Sequence, residues 1–239
     1  MPISRRTFVE TLAVSAAAAS ILGTQQAAAQ PQQANIPDAF ASGHQPKMLN
    51  FDPAQLDGLS EKLINSHWQN NYGGSVNALN TIKTRLKAAL ADDELPAYIY
   101  NDLKREHLMR TGSVVLHEYY FENIAPPGAR SAELDQQLQK AFGSTATWEK
   151  EFRRIGSGLG GGSGWTLLAW NTHTGTLENY WMADHMHAPA GAVPIIVMDM
   201  YEHSYQMDYG AAAADYIAAF MRNINWQVAA ERLNTALEA

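Results

Sequence analysis

The chain has 239 residues, 46% of them hydrophobic and 17% charged, with a formal net charge of −7. This is an ordinary globular composition, and its acidic balance excludes the basic footprint of a nucleic-acid or anionic-membrane binder. The absence of cysteine excludes disulfides, thiolate metal sites and cysteine nucleophiles, and suits an oxidising compartment.

Residues 1–29 read as an export signal of the twin-arginine kind, which implies a periplasmic or otherwise exported protein. Arg5 and Arg6 precede an alanine-rich apolar run over 11–23, and Ala27, Ala28 and Ala29 offer a small-residue cleavage site. The run is too short for a membrane span. Residues 30–50, rich in Gln, Ala and Pro up to Pro46, read as a flexible linker.

Residues 52–109 follow a helical pattern. Leu56, Leu59, Leu63, Ile64 and His67 recur at three- and four-residue steps, as do Val76, Leu79, Ile82, Leu86 and Leu90. Tyr72, Gly73 and Gly74 interrupt the two runs and predict a helical hairpin or a sharp kink there. Pro96 predicts the start of a further helix that runs to Asn123, with Pro126, Pro127 and Gly128 as its stop.

Two short helices are expected over 132–142 and 147–155, the second capped by Ser144 or Thr145. Strands are expected over 165–170, 176–182 and 193–199, the first two joined as a hairpin through residues 171–175. The last forty residues return to helix, with Tyr216, Ile217, Phe220, Met221 and Ile224 on one face. The predicted class is α+β: a helical-hairpin lobe over 51–128, then a lobe over 129–239 with a small three-stranded antiparallel sheet flanked by helices.

The chemistry must come from the eight histidines and their neighbours. Asp199 ends the apolar run Ile195, Ile196, Val197, Met198, where a charge is costly unless paired or metal-bound. His203 follows four residues later and faces the same way if the backbone turns helical there; an ordinary capped helix start with an exposed histidine has the same spacing. His67 lies on an apolar stripe, and His117 sits between Val114-Val115-Leu116 and Tyr119-Tyr120-Phe121. Buried imidazoles need partners, and a metal is one. Three imidazoles and one carboxylate suit iron or manganese, and zinc also accepts such a set. The glycine-rich run over 156–164 lacks the Lys-Ser/Thr of a phosphate loop, and His185-Met186-His187 is a weaker, copper-like alternative.

Five stretches in chain order resemble the iron/manganese superoxide dismutases. Met198-Asp199-Met200-Tyr201-Glu202-His203-Ser204-Tyr205 is similar to that family's Asp-x-Trp-Glu-His-Ala-Tyr signature. His67 precedes Val76-Asn77-Ala78-Leu79-Asn80, and His117 precedes an aromatic run closed by Ala125-Pro126. Gly162-Ser163-Gly164-Trp165 and Ile224-Asn225-Trp226 complete the set.

The resemblance implies that His67, His117, Asp199 and His203 hold one iron or manganese ion per subunit. The implied activity converts superoxide to dioxygen and hydrogen peroxide as the metal alternates between +3 and +2. Around that cage the chain departs from the family. The positions of its solvent-bonding glutamine are Ser113 and His185, its gateway tyrosine is Ser75, and a neighbouring histidine is Asn71. Two site-lining tryptophans are Phe121 and Tyr201, Trp165 is kept, and a tyrosine next to Tyr205 is Gln206. The resemblance casts His185, Ser75, Asn71, Tyr201 and Trp165 as the catalytic surroundings. It also implies a homodimer with Glu202 and His203 at the interface. The second reading is a metal-binding relative with little turnover.

Overall fold

The computed structural model describes residues 37–238; the twin-arginine segment and the cleavage site lie outside the described residues. A short helix, α1 (Glu61–Ser66), opens with Ser60 accepting from the Leu63 amide, the expected chemistry of a helix start. It passes into a π-helical turn (His67–Tyr72) and then α2 (Gly73–Leu90). α3 (Ala97–Glu122) returns antiparallel along α2.

Of the helical hairpin or sharp kink expected at Tyr72–Gly74, the hairpin is therefore corrected. The helix continues through Gly73, whose amide bonds the Trp68 carbonyl five residues back, and the reversal falls between Leu90 and Ala97. Such a wide turn shifts the helical register without breaking the helix. The helical start expected at Asp52 also moves, to Glu61, because Leu56 and Leu59 enter the core from non-helical chain.

The second lobe runs α4 (Ala132–Phe142), α5 (Thr145–Leu159), β1 (Trp165–Asn171), β2 (Thr176–Met182) and β3 (Ala192–Asp199). A single helical turn (Glu202–Ser204), α6 (Gln206–Tyr209), α7 (Ala213–Arg222) and α8 (Trp226–Glu238) complete it. The sheet is antiparallel with order β2-β1-β3, so the α+β class is as expected.

α5 extends past its expected end at Ile155, and Gly156 there serves packing. A Cβ at Gly156 would stand 2.6 Å from Met198 Cε, so glycine lets the helix lie close against β3. Ser144 caps α5 by accepting from Thr147 N, while Thr145 is its first helical residue.

One apolar core joins the lobes, from Leu63, Ile64 and Tyr120 to Phe152, Ile196 and Phe220. The outer edge of β3 is tied to the first lobe by a buried amide. Asn123 Nδ2 donates to Ile195 O at 3.1 Å, and Asn123 Oδ1 accepts from Val197 N at 2.9 Å. Arg232 Nη1 donates to the same Asn123 oxygen at 2.9 Å, so the strand carrying Asp199 is pinned on both edges.

The stretch expected as a linker is fastened over its described part. The His44 amide donates to Asn80 Oδ1, the Trp68 indole donates to Lys47 O, and the Lys47 ammonium lies 2.8 Å from Glu118. Composition does not reveal such long-range pairings.

Candidate metal centre

Four elements converge between the lobes. The π turn brings His67, α3 brings His117, the end of β3 brings Asp199, and the turn after it brings His203. One ligand atom from each lies within 4.8 Å of every other. Asp199 Oδ2 is the meeting point, 3.2 Å from His67 Nε2, 3.6 Å from His117 Nε2 and 3.2 Å from His203 Nε2. Asp199 stands opposite Trp165 in the sheet register, which fixes the depth of the carboxylate.

The donor set fits a metal ion. Both His67 nitrogens and His117 Nε2 are buried without a hydrogen-bond partner; such orphaned groups cost about 1–3 kcal/mol each. Coordination removes that cost for the nitrogens facing Asp199. His117 donates its Nδ1 proton to Ser113 O at 2.7 Å, which leaves Nε2 with its lone pair. Burial pushes His117 down to about 3, with the nearby His67 adding to the shift, so the ring is neutral. Burial also lowers His67.

For Asp199 burial acts upward, but the His203 and His67 imidazoles outweigh it and hold the carboxyl below its usual range. Its other oxygen accepts from the Tyr201 amide at 2.8 Å. Neutral imidazoles at His67 and His117 beside one ionised carboxylate suit a divalent or trivalent first-row ion.

A cavity of about 370 Å³ reaches this cluster and is lined by Asn71, Ser75, Ser113, His185, His203 and Arg110, among others. Trp165 donates its indole N–H to His185 Nδ1 at 3.0 Å, so a neutral His185 carries its proton on Nε2. Burial lowers His185, which favours that neutral form. Tyr201 lies between two imidazoles, its centroid 4.7 Å from His185 and 5.3 Å from His203. The Ser75 hydroxyl meets the Ser113 hydroxyl at 2.8 Å, and the latter stands 3.3 Å from His117 Nδ1. Phe121 packs 5.0 Å from His67.

Comparison with known proteins agrees with this arrangement. The family model for iron/manganese superoxide dismutases, C-terminal domain, matches residues 130–232. An iron superoxide dismutase of Cupriavidus metallidurans is 49% identical over 191 residues, covering 80% of this chain and 96% of that protein. This chain belongs to the iron/manganese superoxide dismutase family. An iron superoxide dismutase of Aquifex aeolicus is 33% identical over 80% of this chain and 91% of its own length. Superoxide dismutase [Mn] 2 of Haloferax volcanii is 29% identical over 78% of this chain and 94% of its own length.

The four expected ligands and the five residues expected as their catalytic surroundings all lie at or around this cluster. Two more contribute that sequence reasoning passed over. Gly112 has no side chain where one would collide: a Cβ there would lie 1.8 Å from the His185 carbonyl oxygen. A glycine inside a helix, one residue before Ser113, was the available signal. Arg110, one helical turn before Ser113, lines the cavity and bears a full charge.

Proposed function

We propose that this protein is a superoxide dismutase, converting two superoxide anions and two protons to dioxygen and hydrogen peroxide. The ion it uses is one iron or manganese per subunit, held by His67, His117, Asp199 and His203. The observation that carries the reading is the buried set of unpartnered imidazole nitrogens around one carboxylate oxygen, in a chain half identical to an iron superoxide dismutase. Bound there, the metal supplies the one-electron couple that both half-reactions need.

The protein's own residues do the rest. Asp199 provides the negative charge that favours a cation, and the Ser113 carbonyl keeps the His117 proton on Nδ1. His185, oriented by Trp165, offers an Nε2–H on the cavity wall, in a position to donate a hydrogen bond to a small anion or to solvent beside it. Ser75 and Ser113 form a hydroxyl pair on the same wall and can relay a proton from solvent. Asn71 adds a polar amide to the cavity lining. Tyr201 stacks against His185 and restricts its swing.

A homodimer through the His203 face belongs to the same reading. The side chain of His203 is 25% exposed where those of the other three ligands are at most 1%, and Glu202 beside it is exposed. Export by the twin-arginine route to the periplasm is the proposed location, supported by Arg5, Arg6 and the alanine-rich run. No described helix is long and apolar enough to cross a membrane.

The test is superoxide consumption per bound metal, measured before and after chelation and beside His117→Ala. Activity that tracks metal content and is lost in the variant supports the proposal; unchanged activity in the variant contradicts it.

A further inference from the structure

The net charge of −7 opposes the approach of an anion. A substrate that is itself an anion therefore needs a local cation on its route. Among the described residues lining the cavity over the cluster, Arg110 is the only one bearing a full charge outside the ligand set; the others are Asn70, Asn71, Gly74, Ser75, Ser113 and three histidines. Burial lowers His185, so it stays neutral at ordinary pH and brings no charge there.

Arg110 is a restrained guanidinium. Its Nε and Nη2 both meet Glu106 Oε1, at 2.8 and 2.6 Å, one helical turn back on α3. Glu106 thereby positions the group and partly neutralises it, while Nη1 has no hydrogen-bond partner among the described residues. The side chain is 37% exposed, so its field is screened by solvent but not abolished.

We propose that Arg110 is the steering residue that draws the superoxide anion into the cavity, and that Glu106 tunes its strength. The inference rests on the dismutase reading above. Arg110 takes no part in the redox or proton chemistry; it raises the encounter rate of a small monovalent anion with the cluster. Electrostatic steering of this kind enhances association about 10- to 1,000-fold, and one exposed, partly paired charge belongs at the lower end.

The experiment uses the metal-loaded full chain, with all rates expressed per bound metal. The second-order rate constant for superoxide is measured from low to high ionic strength for wild type, Arg110→Gln, Arg110→Lys and Glu106→Gln. Azide affinity, read by calorimetry, serves as an activity-independent probe of anion entry. Arg110→Gln is expected to lower the low-salt rate constant and the azide affinity about three- to tenfold and to flatten the salt dependence. Arg110→Lys should keep most of both, and Glu106→Gln should steepen the salt dependence. Equal rates, salt slopes and azide affinities in wild type and Arg110→Gln would overturn the inference while leaving the dismutase reading intact. Absence of superoxide turnover in metal-loaded wild type would instead overturn that reading, and this inference with it.

Discussion

Trp165 donates its indole N–H to Nδ1 of His185 at 3.0 Å. The bond joins the fully buried first residue of β1 to a partly exposed imidazole beyond the end of β2. The sheet thus sets the tautomer of the ring that faces the cavity, and fixing the tautomer fixes where the available proton sits. Replacing the indole by phenyl in Trp165→Phe should leave metal content near one per chain. Turnover per bound metal should fall about tenfold, the lower range for loss of a partner that orients a functional group. Elemental analysis together with a superoxide assay checks this.

Gly112 packs against the backbone of the same histidine. A methyl group there would lie 1.8 Å from the His185 carbonyl oxygen, so Gly112→Ala must displace either α3 or the loop bearing His185. The expected cost is about 1–3 kcal/mol, typical of overpacking, read as a lower urea midpoint. Turnover should drop while the four ligand positions still retain metal. A variant with unchanged stability and unchanged turnover would show that the two backbones are free to move apart.

Asn123 tests the route from fold to site without touching the site. Its side chain serves Ile195 O, Val197 N and Arg232 at the edge of β3. Asn123→Ala leaves buried backbone groups without partners, worth about 1–3 kcal/mol. Because Asp199 ends the same strand, metal should be released at a lower temperature than from wild type. Following metal release and unfolding in one thermal ramp measures both effects.

The alkaline limit of stability has a defined sign. Burial pushes the Tyr72 hydroxyl up to about 12; it donates to Glu118 and accepts from Lys47 N. The unfolded chain ionises its tyrosine first, near 10, so this contribution is complete below pH 10 and is lost as pH rises towards 12. Lys47 is raised by its hydrogen bond to Glu118, and its contribution is lost in the same direction. Tyr201, pushed up to about 12 mainly by burial, leaves a residual slope. Urea unfolding at pH 9, 10 and 11 should show a shallower decline for Tyr72→Phe than for wild type.

The candidate cluster was legible because each of its members breaks a local pattern. His67 sits on an apolar stripe, His117 inside an aromatic run, and Asp199 at the end of an apolar strand. Four residues from Asp199 to His203 suffice, although the intervening backbone forms only a single turn, from Glu202 to Ser204. The fold class and the strand positions were legible from periodicity and turn residues. The π turn at His67 was not, since a register shift inside a helix leaves no mark on residue type. Paired glycines at 73 and 74 suggested a reversal or a kink, yet here they open the helix α2 without a reversal. Gly156 is likewise helical because Met198 and Ile217 need the space its side chain would fill. The fastening of Lys47 and His44 to α2 and α3 depends on contacts 36 to 75 residues away, beyond any local pattern.

The measurement that tests the account most directly is metal stoichiometry and superoxide turnover on the same samples of wild type and His117→Ala. The account predicts about one iron or manganese ion per wild-type chain, as the four-ligand cluster among the described residues requires, with turnover proportional to that content. In His117→Ala both should fall together. A wild-type protein that binds no metal, or a variant that retains both metal and full turnover, would contradict it.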